Sequence, residues 1–268
     1  MARPETISSA TNPLVKAVRR AISRGTLTDD GLCVAESFHL LEEALRGDCG
    51  VQVVLSARSV ESTVKSYLGR LTGIRLAVLS DALFQTVAAT ESSQGVIALL
   101  TPPSWTLDHL FRGRSLAVAL DGVQDPGNAG TIVRAAEAFG ATGVLFLKGA
   151  ASPYNPKTLR AAAGSLFRVP FMHSIDPELA RAAFRQNKLD VYAGVPFSNR
   201  DHCKRLADAD LTRKCALIIG NEGRGVSEKL QAGSIGLAIP TSGVESLNAA
   251  VAASVILYEA HRQRALKP

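Results

Sequence analysis

The chain has 268 residues, 46% of them apolar and 20% charged, with a net charge of +6. That balance excludes collagen-like, coiled-coil and disordered classes, and the length accommodates one large domain or two ordinary ones. No apolar run reaches the roughly 18–20 residues that cross a bilayer, and the first residues lack the apolar core of a secretory signal, so the expected address is the cytoplasm.

A basic helix is predicted from Leu14 to Arg24, with Lys16, Arg19 and Arg20 on its polar side. Apolar runs then alternate with helical patterns. LCVAE (32–36) precedes FHLLEEAL (38–45), VQVVLS (51–56) precedes a helix over 59–70, and IRLAVLS (74–80) precedes one over 81–88. GVIALL (95–100) follows, and four short strands alternating with helices make a small α/β layer. Thr101-Pro-Pro-Ser-Trp-Thr106 interrupts the pattern, because adjacent prolines fix φ and remove two donors. The expected division is a first domain over 1–101, a linker over 102–107 and a second domain over 108–268.

Beyond the linker, SLAVALD (115–121) precedes a helix from Ala129 to Phe139, and GVLFL (143–147) precedes one over 156–163. A 177–187 helix leads into LDVYAG (189–194), then come CALIIG (215–220), GLAIP (236–240) and a long helix from Ser246 to Arg264. Strands that are apolar throughout suit a parallel sheet covered on both faces. In such sheets the loops at the carboxyl ends of the strands form the ligand crevice. Charge follows the same division. Residues 1–105 carry 10 basic and 10 acidic side chains, whereas 106–268 carry 20 and 14. Lys148 to Lys214 alone holds 12 against 6, a surplus that suits a polyanion such as RNA. The four cysteines (33, 49, 203, 215) form no C-x-x-C pair and the five histidines (39, 109, 173, 202, 261) are scattered, so no metal site is expected.

Three loops at strand ends carry the chemistry. DGVQDPGNAGTIVRAA (Asp121 to Ala136) is shaped by Gly122, Pro126, Gly127 and Gly130, with Asn128 as expected N-cap and Arg134 projecting from the second turn. LIIGNEGRGVS (Leu217 to Ser227) sets Glu222 and Arg224 beside bare glycine backbone. AIPTSGVESLNAAVAAS (Ala238 to Ser254) offers Ser246 or Asn248 at a helix entrance, then the small residues Ala249, Ala250, Ala252 and Ala253. Taken singly, each loop also reads as an ordinary turn or a buried helix contact.

Their order, placement and wording together resemble the SpoU (TrmH-like) branch of the SPOUT RNA methyltransferases. Ser152 to Pro170, SPYNPKTLRAAAGSLFRVP, extends the match, so that 115–264 resembles the catalytic domain. Residues 7–100 resemble the ribosomal-protein-like α/β domain that often precedes it, through NPLVK (Asn12 to Lys16), ESFHLLEEA (Glu36 to Ala44) and SQGVIA (Ser93 to Ala98). One departure is Glu36-Ser37, where relatives commonly have Glu-Gly.

The resemblance implies a parallel-sheet domain with a deep trefoil knot, a homodimer, and transfer of a methyl group from S-adenosylmethionine to a ribose 2′-hydroxyl. It implies rRNA (23S-type) in preference to tRNA, because tRNA enzymes of this branch often lack the first domain. By the same carry-over, Gly220, Asn221, Gly223, Ile239, Pro240 and Leu247 hold the cofactor. Asn128, Arg134, Glu222, Ser246 and Asn248 surround the reacting centre. Arg134 is expected to hold an RNA phosphate rather than act as a base, since guanidinium stays protonated. Arg19, Arg20, Lys157, Arg160 and Arg168 are candidate RNA contacts. The rivals are a tRNA 2′-O-methyltransferase and a silent RNA-binding or ribosome-assembly protein. A nicotinamide oxidoreductase would need G-x-G-x-x-G after a strand, which is absent.

Overall fold

The computed structural model describes residues 4–47, 49–69, 71, 73–196 and 203–266. Arg200 and His202, counted above, lie outside these described residues. The chain folds as two compact units. Residues up to 104 together with 154–168 form the first, and 105–153 with 169 onward form the second.

The first unit contains β1 (Glu5–Ile7), α1 (Pro13–Arg24), β2 (Cys33–Glu36), α2 (Phe38–Arg46), β3 (Gly50–Ala57), α3 (Glu61–Leu68), β4 (Arg75–Leu79), α4 (Asp81–Gln85) and β5 (Val96–Thr101). Its sheet runs β1-β4-β3-β5-β2, parallel among the first three and antiparallel around β5. The short β1 escaped prediction because three residues, ETI, carry too little alternation to register. In α1, Val15, Val18 and Ala21 recur at helical spacing and are buried against the sheet's apolar face. Asn12 caps the helix through Leu14 N, and Gly25, at φ +63°, ends it.

The stretch 154–168, read from sequence as part of the second domain, packs in the first unit. Asn155 caps its helix by accepting from Lys157 N at 2.8 Å, and two acids of the first unit meet its arginines. Buried Glu36 lies 3.9 Å from Arg160 and also accepts from Ala89 N at 2.8 Å; Glu43 pairs with Arg168.

The second unit begins with α5 (Leu107–Leu110), β6 (Leu116–Asp121), α6 (Pro126–Ala138) and β7 (Gly143–Leu147). The chain crosses to the first unit for α7 (Pro156–Ala162), then returns as β8 (Phe171–Ile175), α8 (Pro177–Gln186), β9 (Asp190–Gly194), β10 (Cys203–Arg205), β11 (Cys215–Gly220), α9 (Glu228–Gln231), β12 (Ile235–Ala238) and α10 (Ala249–Leu266). The sheet order is β10-β12-β9-β11-β6-β7-β8, with every pairing parallel. The central strands β6, β7 and β11 are buried along almost their whole length, as their unbroken apolar runs require. The short α5, β8, β10 and α9 were not predicted. Two helix starts also differ from expectation. The N-cap of α6 is Asp125, not Asn128, because Pro126 supplies the fixed φ of a first helical residue and the Asp125 carboxylate accepts from Asn128 N at 2.8 Å. The last helix starts after Asn248, whose Oδ1 accepts from Ala250 N and Val251 N at 2.9 and 3.2 Å.

Ser37 explains what the Glu-Ser departure does. It sits at φ 139°, ψ 159°, a region almost confined to glycine, while its hydroxyl caps α2 through Leu40 N at 3.1 Å. Strain of this kind costs about 1–3 kcal/mol, whereas replacing a Ser cap with Gly costs only a few tenths. Ser37→Gly is therefore expected to stabilise the protein by about 1 kcal/mol, read as a higher melting temperature. A lower melting temperature would show that the cap outweighs the strain.

Candidate active site

Three strand ends of the second unit converge. β6 ends in Asp121, buried at 7% exposure, whose Oδ2 accepts from Ser227 N at 2.6 Å. One residue on, Gly122 O accepts from Asn221 Nδ2 at 2.8 Å. Each bond joins a short side chain of one loop to the main chain of the other, and together they tie the loop after β6 to the loop after β11.

The loop after β11 is a tight reversal. Asn221 and Gly225 exchange backbone hydrogen bonds at 3.0 and 2.8 Å, and Asn221 Oδ1 accepts from Gly223 N and Arg224 N at 3.0 Å each. Gly220 is required for a reason that composition does not show. A Cβ there would lie 2.2 Å from Gly225 C and Val226 N, inside the returning chain itself. The close approach that glycine permits at this position is therefore to the loop's own backbone rather than to a ligand.

Asn128 joins the three loops. Its Nδ2 donates to Glu222 Oε1 at 2.8 Å, and its Oδ1 accepts from Asn248 Nδ2 at 3.1 Å. With Asn248 also capping α10, one side-chain amide links the first turn of α6, the loop after β11 and the entrance of the last helix.

Beside this junction lies a cavity of about 340 Å³, a size that suits a small ligand. Apolar Ile219, Leu237, Ile239 and Leu247 line it together with the Gly220–Gly225 backbone, and the charged groups are Glu222, Arg224 and Glu245. Of the cofactor candidates, Gly220, Asn221, Gly223, Ile239 and Leu247 are on the wall. Pro240 is not on it; the residue is exposed beyond the end of β12. Of the catalytic candidates, Glu222 and Ser246 line the cavity, while Asn128 and Asn248 are bonded to Glu222 directly and in sequence. Arg134 stands apart, roughly 9 Å further along the α6 axis than Asn128, exposed and without a hydrogen bond or ion pair among the described residues.

Sequence reasoning missed Gly194, Val195 and Pro196 on the cavity wall, although they follow β9 and the strand-end rule covers them. It also missed Asp121 as the tie to Ser227. The RNA candidates all lie in the first unit, and most are engaged there. Arg19 bonds to Thr86 O at 3.2 Å and to its hydroxyl at 2.8 Å, and Arg20 pairs with Asp29 at 2.5 Å. Arg168 bonds Glu43, and Arg160 lies 3.9 Å from Glu36 as an ion pair without a hydrogen bond; Lys157 is exposed in the first turn of α7.

Burial pushes the Cys215 thiol up to about 11, and burial together with nearby Cys49 pushes Cys33 well above its usual value. Among the described residues no three His, Cys, Asp or Glu side chains gather as a metal site, and no helix is long and apolar enough to cross a membrane.

Comparison with known proteins finds similar sequences and a similar fold. Residues 115–258 match the SpoU rRNA Methylase family, and residues 12–98 match the MRM3-like substrate binding domain. The 23S rRNA (guanosine(2553)-2′-O)-methyltransferase RlmP of Bacillus subtilis is 34% identical over 94% of this chain and 97% of its own. A 23S rRNA (uridine(2479)-2′-O)-methyltransferase of Streptomyces viridochromogenes is 36% identical over 71% of this chain and 68% of its own. The crystal structure of the SpoU methyltransferase AviRb from the same species, in complex with AdoMet, superposes with a TM-score of 0.84 at 27% identity, covering 95% of this chain and 98% of that one.

The Gly220 contact gives a paired test. Gly220→Ala is expected to destabilise by about 3 kcal/mol or more and to abolish S-adenosylmethionine binding, because backbone rather than a side chain must move. Gly223→Ala, whose Cβ would meet only Asn221 Oδ1 at 3.7 Å, should leave the melting temperature nearly unchanged. Equal melting temperatures for the two variants would refute the packing account.

Proposed function

The chain belongs to the SpoU rRNA methylase family, and from that membership we propose that it transfers a methyl group from S-adenosylmethionine to a ribose 2′-hydroxyl of 23S-type rRNA. The observation that carries this reading is the Asn128 junction, which gathers three strand-end loops beside one cavity. The two named relatives act on a guanosine and a uridine, so the ribose, and not a particular base, is what their reactions share.

The residues present fit the cofactor. Apolar walls and a bare glycine backbone suit a flat adenosine, and the charged tail of the molecule has Glu222, Glu245 and Arg224 within the same lining. S-adenosylmethionine, when bound, supplies an electrophilic methyl on a sulfonium; the protein's share is alignment and removal of a proton. Glu222 has one carboxylate oxygen held by Asn128, which fixes the group, and its other oxygen takes the hydroxyl proton directly or through water. Arg134, whose exposed side chain has no partner among the described residues, holds an RNA phosphate by its planar fork of donors and thereby orients the ribose. The deep trefoil knot belongs to this reading as well, as does a cytoplasmic location.

The protein acts as a homodimer in this proposal. α10 buries Ala249, Ala250, Ala253 and Ile256 and packs on α6, but leaves Val251, Val255 and Tyr258 exposed at helical spacing. Phe139, just beyond α6, stacks edge-on against Tyr258 with centroids 5.7 Å apart, so this apolar strip adjoins the helix that carries Arg134. A second copy seated there brings Arg134 to a site that one chain leaves open. In the first unit, Arg19, Arg20 and Lys157 remain proposed RNA contacts, whereas Arg160 and Arg168 are assigned to holding 154–168 in place.

The deciding assay incubates labelled S-adenosylmethionine with separated rRNA and tRNA and reads alkali-resistant dinucleotides. Label is expected at one rRNA position, falling roughly 100-fold or more with Arg134→Ala while S-adenosylmethionine still binds. Label confined to tRNA would overturn the substrate, and absence of label together with absence of cofactor binding would overturn the reaction. Tyr258→Glu is expected to give a monomer by light scattering and to lose most activity; a fully active monomer would refute the dimeric site.

A further inference from the structure

The expected RNA contacts, Arg19, Arg20, Lys157, Arg160 and Arg168, are mostly engaged within the fold. Four of those five candidates are engaged with groups of the first unit, two of them with acids that have little exposure. Elsewhere, three segments of the second unit come together at the amino end of its parallel sheet. Backbone bonds run from Asp190 N to Lys214 O and from Cys215 N to Ser115 O, both at 3.0 Å, aligning the approaches to β9, β11 and β6 side by side.

One side chain locks that alignment. Arg264, near the end of α10, donates to Arg114 O and Arg213 O at 2.7 and 2.6 Å, and to Ser115 O and Leu211 O at 3.0 and 2.8 Å. Arg114 in turn reaches Thr212 O through its Nε. The consequence is a crowd of exposed cations: Arg112, Arg114, Lys188, Arg213 and Lys214. The facing acids are few. Asp190 lies 3.7 Å from Arg213, in a pair that is 72% and 38% exposed and therefore weak, and Asp210 is bonded to Thr212. The side chains of Arg112, Lys188 and Lys214 make no ion pair with any described residue.

We propose that this pole of the second unit is an RNA-phosphate contact surface, remote from the methyl-transfer crevice. The inference rests on the reading of the protein as an RNA methyltransferase. Its remoteness is set by β11, whose amino end carries the patch and whose carboxyl end is Gly220 in the cavity wall. Six residues of strand separate them by about 20 Å. RNA touching both ends must extend well past the reacting nucleotide, as a folded rRNA region does and a short oligonucleotide does not. The cations are point or fork donors without an aromatic platform between them, which suits phosphates and not bases. The patch therefore supplies affinity and register, and leaves the chemical step to the crevice.

The test is the triple variant Arg112→Gln, Lys188→Gln, Lys214→Gln, which spares Arg114, whose guanidinium bonds Thr212 O, and Arg213, which pairs with Asp190. RNA affinity is measured against salt concentration with an rRNA fragment and with a short oligonucleotide carrying the target site. Steady-state methylation and S-adenosylmethionine calorimetry are run alongside. The slope of log affinity against log salt is expected to become shallower by about 2–3 for the fragment, the KM for it to rise roughly tenfold or more, and kcat and cofactor affinity to stay unchanged. The oligonucleotide should show little difference. An unchanged slope and KM with an active wild type would overturn the surface. An equal loss for oligonucleotide and fragment would also overturn it, because it would place the effect in the crevice. Wild-type protein that transfers no methyl group to any RNA would overturn the underlying function, and the wild-type arm alone shows that.

Discussion

The carboxamide of Asn128 is the contact on which the site depends. A primary amide can donate and accept at once, and here it donates to the carboxylate of Glu222 and accepts from the amide of Asn248. Neither a carboxylate nor an amine at that position could do both. Because Asn248 simultaneously caps α10, the orientation of the last helix, the position of Glu222 and the first turn of α6 are coupled through a single planar group. Polar networks of this kind are demanding, since removing one member leaves the others unpaired.

Main chain supports the same junction from below. Asp121 and Asn221 each reach across to the neighbouring loop's backbone, and Gly220 lets Gly225 and Val226 fold back onto the strand end. The opposite end of the sheet is closed by Arg264, which gathers four carbonyl oxygens near the strand starts. A parallel sheet held at both ends presents its crevice on a rigid platform, which is what alignment of two reactants requires.

The first unit shows a different economy of charge. Glu36 and Glu43, which lie on β2 and α2, accept arginines from a stretch more than a hundred residues later in the chain. Those arginines are spent on holding 154–168, and they illustrate how a basic residue in a basic segment can be structural. Net charge suits a polyanion partner; it does not tell which cations are free to meet one.

Periodicity and composition alone were enough for the α/β architecture, the parallel character of the second sheet and the three loops of the crevice. Unbroken apolar strands must be covered on both faces, and glycine with short polar residues at their ends marks a turn that ligands can approach. The individual wall residues, from Gly220 to Leu247, came from the family resemblance and not from periodicity or composition. β1 and β10 were not legible, because three residues carry no readable period, and neither was β8, whose FMHSI is buried only at Phe171 and lacks an unbroken apolar run. The exchange of Asn128 for Asp125 as helix cap turned on a choice between two residues with equal propensity, which Pro126 decided. What only the tertiary structure settled is pairing across distance: Asn128 with Glu222 and Asn248, Asp121 with Ser227, Arg160 with Glu36, and the cations drawn together by Arg264. Such contacts join residues far apart in the chain, and hydrogen bonds and charges acquire their partners only when packing has brought those residues within reach.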